Sequence, residues 1–179
     1  PAADVITPRP AGRFVDTPHT RLRAAVARRL QASKQTAPHF YLSQTLRVDG
    51  LLALRQQINE SQGVKVSLND LVVKAAARAL RDVPEMNVIW TDESVRQFDS
   101  VDIAVAVASE RGLMTPVVQN ADEMTLATLS AAIRDKAVRA SEGRLSQSEL
   151  EGGTMTVTNL GMYGVEDFAA IIDPPHASI

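Results

Sequence analysis

Apolar and polar positions change period several times along the chain, and each change marks an element. Leu22, Val26 and Leu30 recur at helical spacing, with Asp16 or Thr17 as the cap and Pro18 at the first helical position. Pro38 stops this helix, and Phe40 to Val48 then reads as a strand. Asp49 can cap a second helix carrying Leu51, Leu52, Leu54 and Ile58. Ser67 and Asp70 form a capping-box pattern that opens a third, with Leu71, Val72, Ala75 and Ala79 on one side. Pro84 follows its end.

Asn87 to Trp90 and Val95 to Phe98 read as short strands around the turn residues Asp92 and Glu93. Ile103 to Ala108 is a continuous apolar run, as a strand buried on both faces would be. A turn at Arg111 and Gly112 leads to another short strand, Thr115 to Val118. Leu126, Leu129, Ile133 and Ala137 mark a long amphipathic helix ending near Gly143. Ser146 and Glu149 repeat the capping-box pattern, and Gly152 and Gly153 lead into a β-branched strand, Thr154 to Thr158. Strands and helices are mixed without strict alternation, which predicts an α/β two-layer sandwich with a mixed sheet. Residues 1–15 hold prolines and alanines without apolar period, and read as an interdomain linker remnant or a frayed terminus. Residues 16–179 then form one domain.

Composition narrows the classes. A chain of 179 residues buries roughly 70% of its unfolded surface on folding, enough for one sizeable core. The net charge of -2 argues against a general nucleic-acid binder. There is no Cys, hence no disulfide, no thiolate metal site and no thiol nucleophile. No apolar run approaches the ~20 residues of a membrane span, and no signal peptide is visible. The basic residues of the first helix, Arg21, Arg23, Arg28, Arg29 and Lys34, fit a solvated face or contact with phosphates or an acidic partner.

Chemistry is sparse. The three histidines, His19, His39 and His176, lack partners at metal-ligand spacing, and no Gly-rich phosphate loop occurs. What stands out is Thr154-Met155-Thr156-Val157-Thr158-Asn159-Leu160-Gly161, with Gly164 beyond. Alternation puts Thr154, Thr156 and Thr158 on one face, and a strand-end hydroxyl can donate into a cleft. From the residues alone, a Thr-rich strand running into a turn is the simpler reading.

Four segments, in order, resemble the dihydrolipoyl acyltransferase family. They are RAAVARRLQASKQTAPHF from Arg23, PEMNVIW from Pro84, IAVAVASERGLMTPVVQNA from Ile103 and GGTMTVTNLGMYGVEDFAAIIDPP from Gly152. Asp173 and His176 depart from it, since the family usually has Asn at the first position and Gln or Glu at the second. The resemblance implies the chloramphenicol acetyltransferase-like fold, a homotrimer or a larger core built from trimers, and sites between subunits. It implies coenzyme A as one substrate, lipoate carried on a separate lipoyl domain as the other, and decarboxylase and dihydrolipoyl dehydrogenase components as partners. Thr158 matches the hydroxyl that donates to the oxyanion, while Thr115, Pro116, Phe168 and Ile171 fall in segments that line the substrate channel. The general-base His is expected some forty residues beyond the Pro-Pro segment, so the 179-residue chain alone is expected to be inactive. The stretch from Asn159 to Pro175 is more similar to pyruvate-complex members than to branched-chain or 2-oxoglutarate ones, which implies an acetyl group. A non-catalytic core or a free-standing acetyltransferase of the same fold are the rival readings. No metal is expected, and the location implied is the cytoplasm, or the mitochondrial matrix in a eukaryote.

Overall fold

The computed structural model describes residues 12–109 and 112–179. Most of the linker segment, and Arg111 of the expected turn, lie outside the described residues.

Two short antiparallel ladders in one register run along the central β-arm. Strand β3 (Ile103–Val105) pairs antiparallel with β6 (Val117–Val118), and β4 (Val107–Ser109) pairs antiparallel with β5 (Gly112–Met114). Both pairs share one register, so Ala106 stands opposite Thr115 and Val105 opposite Pro116, whose carbonyl accepts from Val105 N–H at 3.0 Å. The ladder is interrupted there because proline has no N–H to return. On its other side β3 pairs in parallel with β7 (Met155–Val157), giving the order β6-β3-β7. Strands β1 (Val88–Trp90) and β2 (Val95–Gln97) form a separate antiparallel hairpin. Residues 176–178 run between the two groups: Ser178 bridges Met155 of β7 and His176 bridges Ile89 of β1.

One face of this sheet is covered by helices α3 (Leu68–Asp82) and α4 (Leu126–Ser141). Alternation sends Ile103, Val105, Val118 and Val157 to that face. There they meet Val73, Ala77 and Leu80 of α3 and Leu129 of α4 in one buried cluster. The inward stripe of α3 is therefore Val73-Ala77-Leu80 beside Leu71, and not the expected row, since Val72 is 46% exposed and Ala75 and Ala79 face solvent. An Ala-rich helix offers two stripes of equal period, and only the sheet beneath decides between them.

Local chemistry sets the helix ends. Ser67 and Asp70 close the expected capping box on α3. Thr125 caps α4, and Ser146 and Glu149 cap the short 3-10 turn Gln147–Glu149. Arg139 holds the Glu149 carboxyl well below the usual carboxylate range, with Ser146 and Lys136 adding to the effect. Lys74 ties α3 to the loop ahead of α4 by donating to the carbonyls of Ala121, Asp122 and Met124.

The first part of the chain departs more from expectation. Helix α1 (Arg21–Thr36) is capped by Thr20, whose hydroxyl accepts from Arg23 N–H, and not by Asp16 or Thr17. Helix α2 (Asp49–Gln62) starts after Val48, which makes no side-chain cap, while Asp49 sits in the first turn. There its charge complements the helix N-terminus. Phe40 to Val48 is not a strand, because none of the described residues pairs with it. Its apolar side chains stand in solvent, Phe40 at 80% and Leu42 at 88% exposure.

Candidate active site

The sheet face away from α3 and α4 carries the threonines. Thr154 and Thr156 are buried and Thr158 is half-buried just past the end of β7. Thr154 Oγ1 donates to Asn87 Oδ1 at 2.7 Å, and Asn87 Nδ2 donates to the carbonyls of Phe98 and Ser100 at 2.8 Å each. Asn87 thus joins the β1–β2 hairpin to β7. Thr156 Oγ1 lies 2.7 Å from His176 Nδ1, and His176 Nε2 lies 2.9 Å from the carbonyl of Gly152. The carbonyl can only accept, so Nε2 carries a proton and donates to it. Gly153 makes this approach possible. A Cβ there would lie 3.0 Å from the Asp102 carbonyl and 3.5 Å from His176 Nε2, and its φ is +78°.

Thr158 continues the parallel register beyond Val157. Ala106 N–H donates to Val157 O at 2.9 Å, and one further step sets Thr158 beside Ala106. Ala106 also stands opposite Thr115. Thr115, Ala106 and Thr158 therefore lie abreast on the same face, with the outer two Cα atoms roughly 10 Å apart by strand spacing. Pro116, one residue on from Thr115, points the other way and is almost wholly buried. It belongs to the helix-covered side and does not share a face with Thr158, contrary to expectation, because neighbouring strand residues alternate.

Phe168 and Ile171 are 43% and 36% exposed, in an irregular segment that leaves β7 after Thr158 and returns at His176. The return limb is fastened to the end of α1. Ile172 N–H donates to His39 Nε2 at 3.1 Å, and Ser33 Oγ donates to Ile172 O at 2.5 Å. Arg29 pairs with Asp173 at 2.7 Å. His39 and His176 were singled out by sequence only as isolated rings. Their partners lie 133 and 20 residues away, so no spacing could have revealed them. His19 is exposed ahead of α1. Two surface recesses, one between residues 63–65 and α4 and one on α2, contain none of these residues.

The face with Thr158 offers a hydroxyl beside a backbone edge and no cluster of three or more His, Asp or Glu at metal-binding distance among the described residues. No helix among them is long and apolar enough to cross a membrane.

Comparison with known proteins gives this geometry a setting. Residues 11–179 match the family model described as 2-oxoacid dehydrogenases acyltransferase (catalytic domain). The chain is 47% identical over 173 residues to the dihydrolipoyllysine-residue acetyltransferase component of the mitochondrial pyruvate dehydrogenase complex of Dictyostelium discoideum, covering 97% of this chain and 27% of that protein. It thus spans about a quarter of that relative's length. It superimposes on the dihydrolipoamide acetyltransferase of Azotobacter vinelandii with a TM-score of 0.88 at 28% identity, covering 93% of this chain and 70% of that one. In that enzyme the roles of one serine, one histidine and one asparagine in the catalytic mechanism have been investigated. The cubic core of the pyruvate dehydrogenase multienzyme complex superimposes with a TM-score of 0.87 at 27% identity, covering 93% and 70%. The shared fold is the chloramphenicol acetyltransferase-like one, a mixed sheet backed by helices. On the extent of these matches, the chain belongs to the family of 2-oxoacid dehydrogenase acyltransferases, catalytic domain.

Proposed function

We propose that residues 16–179 act, within a longer protein, in transfer of an acetyl group between a dihydrolipoyl arm and coenzyme A. The observation that carries this reading is the placement of Thr158 at a strand end, abreast of Thr115, on the sheet face opposite α3 and α4. The thiol of coenzyme A loses its proton to a base, and the thiolate attacks the thioester carbon. The carbonyl oxygen becomes negative, and Thr158 Oγ–H donates to it. The intermediate collapses as the bond from carbon to the lipoyl sulfur breaks, and the base returns its proton to that sulfur. Acetyl-coenzyme A and the dihydrolipoyl arm result.

The base is assigned to neither His39 nor His176, since both nitrogens of each ring are already engaged. It is assigned to a histidine that follows residue 179 in the longer protein. Thr115, Phe168 and Ile171 are proposed to line the channel. Phe168 and Ile171 stand open on a single chain, so the opposite wall comes from a neighbouring copy in a trimer. The exposed Phe40, Leu42 and Leu46 support such an assembly, as does the likeness to a cubic core. Decarboxylase and dihydrolipoyl dehydrogenase components complete the proposed complex. Related components occur in mitochondria and in bacteria, which supports the matrix or the cytoplasm as the location.

The test is a pair of variants in the full-length protein. Thr158→Ala lowers turnover roughly 10²–10³-fold with little change in coenzyme A affinity, because the hydroxyl is needed only once the oxygen is charged. Thr158→Ser keeps most activity. Equal loss in both means that the methyl group matters and the hydroxyl does not.

A further inference from the structure

Residues 159–175 leave β7 immediately after Thr158 and come back to lie beside it. The outward limb is held by local turns, with Tyr163 N–H donating to Leu160 O and Gly164 N–H to Gly161 O. From 165 to 171 no residue makes a hydrogen bond or ion pair with another described residue, and all but Ala170 are exposed. The first fixed point on the way back is Ile172. Both its backbone groups are held there by residues more than a hundred positions earlier in the chain: Ile172 N–H by His39 Nε2 at 3.1 Å, and Ile172 O by Ser33 Oγ at 2.5 Å. Arg29 secures the next two residues through the Asp173 carboxylate and the Pro174 carbonyl.

The chemistry of this grip is directional. Ile172 N–H is a donor, so His39 Nε2 must carry a lone pair. The other nitrogen, Nδ1, lies 2.8 Å from the Ala37 carbonyl and must carry the proton. The ring is thereby committed to one neutral tautomer, and Ala37 O, at the end of α1, fixes its plane. Ser33 is the one buried residue of α1, although most of that helix faces solvent. A buried hydroxyl on an exposed helix, aimed at a loop carbonyl, is placed to hold the loop and not to build a core.

We infer that His39 and Ser33 are positioning residues, which clamp Ile172 and so set the place of the Phe168–Ile171 stretch relative to Thr158. The inference rests on the acetyl-transfer reading for its kinetic consequence, but not for the clamp itself. Neither residue touches substrate. They act through the loop, so their loss is felt in substrate binding before it is felt in the chemical step.

The experiment uses the full-length protein with His39→Ala, His39→Gln and Ser33→Ala. The amide side chain in His39→Gln retains an acceptor for Ile172 N–H, while His39→Ala has none. Hydrogen exchange at the Ile172 amide, the one protected amide of 165–172, is expected to rise at least several-fold in His39→Ala and Ser33→Ala and to stay near wild type in His39→Gln. Exchange in β3 and α3 stays unchanged in all three. The KM for dihydrolipoamide rises roughly 3–10-fold in the two alanine variants, the scale of one lost hydrogen bond, with kcat altered less than KM. Unchanged exchange at the Ile172 amide in both alanine variants overturns the clamp, as does equal impairment of His39→Ala and His39→Gln. Should His39→Ala not fold, the comparison of Ser33→Ala with wild type decides the matter by the same measure. Wild-type protein that shows no acetyl transfer removes the functional reading, while the exchange data still judge the clamp.

Discussion

The two halves of the chain use the same kind of helix for opposite ends. Helices α3 and α4 turn Val73, Ala77, Leu80 and Leu129 onto β3, β6 and β7, and the side chains there are almost inaccessible. Helix α1 and the stretch after it carry apolar residues just as regularly, yet Leu22 is 51% exposed and Leu46 70%. The early half is attached by polar contacts: Arg55 and Asn59 of α2 grip the backbone of Val66, and α1 grips Ile172 to Pro174. Periodicity therefore reports that a surface is apolar, not that its own chain covers it. One half is a core, and the other is a surface with handles.

The sharpest way to break this contrast is Leu129→Ala. Leu129 is 0% exposed at the centre of the helix–sheet cluster. Its truncation is expected to cost about 2–5 kcal/mol, read as a lowered midpoint in urea. A loss under 1 kcal/mol would mean that the cluster is not the main core. Next comes Asn87→Ala, which strips three hydrogen bonds from a side chain only 2% exposed and leaves the Thr154 hydroxyl and two carbonyls without it. About 1–3 kcal/mol is expected, together with faster exchange in β1 and β2. The smallest effect belongs to the other half. Leu42→Ala, at a position 88% exposed, should change the stability of the isolated chain by less than about 0.5 kcal/mol. A core-sized loss there would erase the distinction, whereas a loss seen only in the assembled protein would sharpen it.

What the sequence made legible follows the reach of each rule. Ser67 with Asp70, and Ser146 with Glu149, are decided within one helical turn, and both boxes form. The apolar run from Ile103 forms strands β3 and β4, which pair with β6 and β5 in one register broken at Thr115 and Pro116. Rules that need a distant partner did less well. Thr20 took the cap of α1 from Asp16 and Thr17, since several cap-forming residues compete within a few positions. Phe40–Val48 has the composition of a strand but no neighbour to complete it. At the site, alternation placed Thr158 on the face of Thr154 and Thr156, and the same alternation should have set Pro116 apart from Thr115. Asp173 and His176 each found a partner: Arg29 for one, Thr156 and Gly152 for the other. Nothing in their spacing announced these pairings.

The run at 176–178 has a consequence in time. It bridges β6-β3-β7 and the β1–β2 hairpin by backbone, Ser178 against Met155 and His176 against Ile89, beside the Asn87–Thr154 side-chain link. Ribosomes deliver a chain from its beginning, so the two groups of strands exist before the residues that bridge them. Val66 to Val157 can gather their helix–sheet core early, from contacts of moderate separation. Asn87 and Thr154 can link the groups through side chains, but backbone bridging between them must wait for His176, 87 positions after the Ile89 it meets, and long loops of this kind close slowly. A nascent chain halted before residue 176 therefore presents two strand edges without their backbone bridge, at β7 and at β1, to whatever lies nearby.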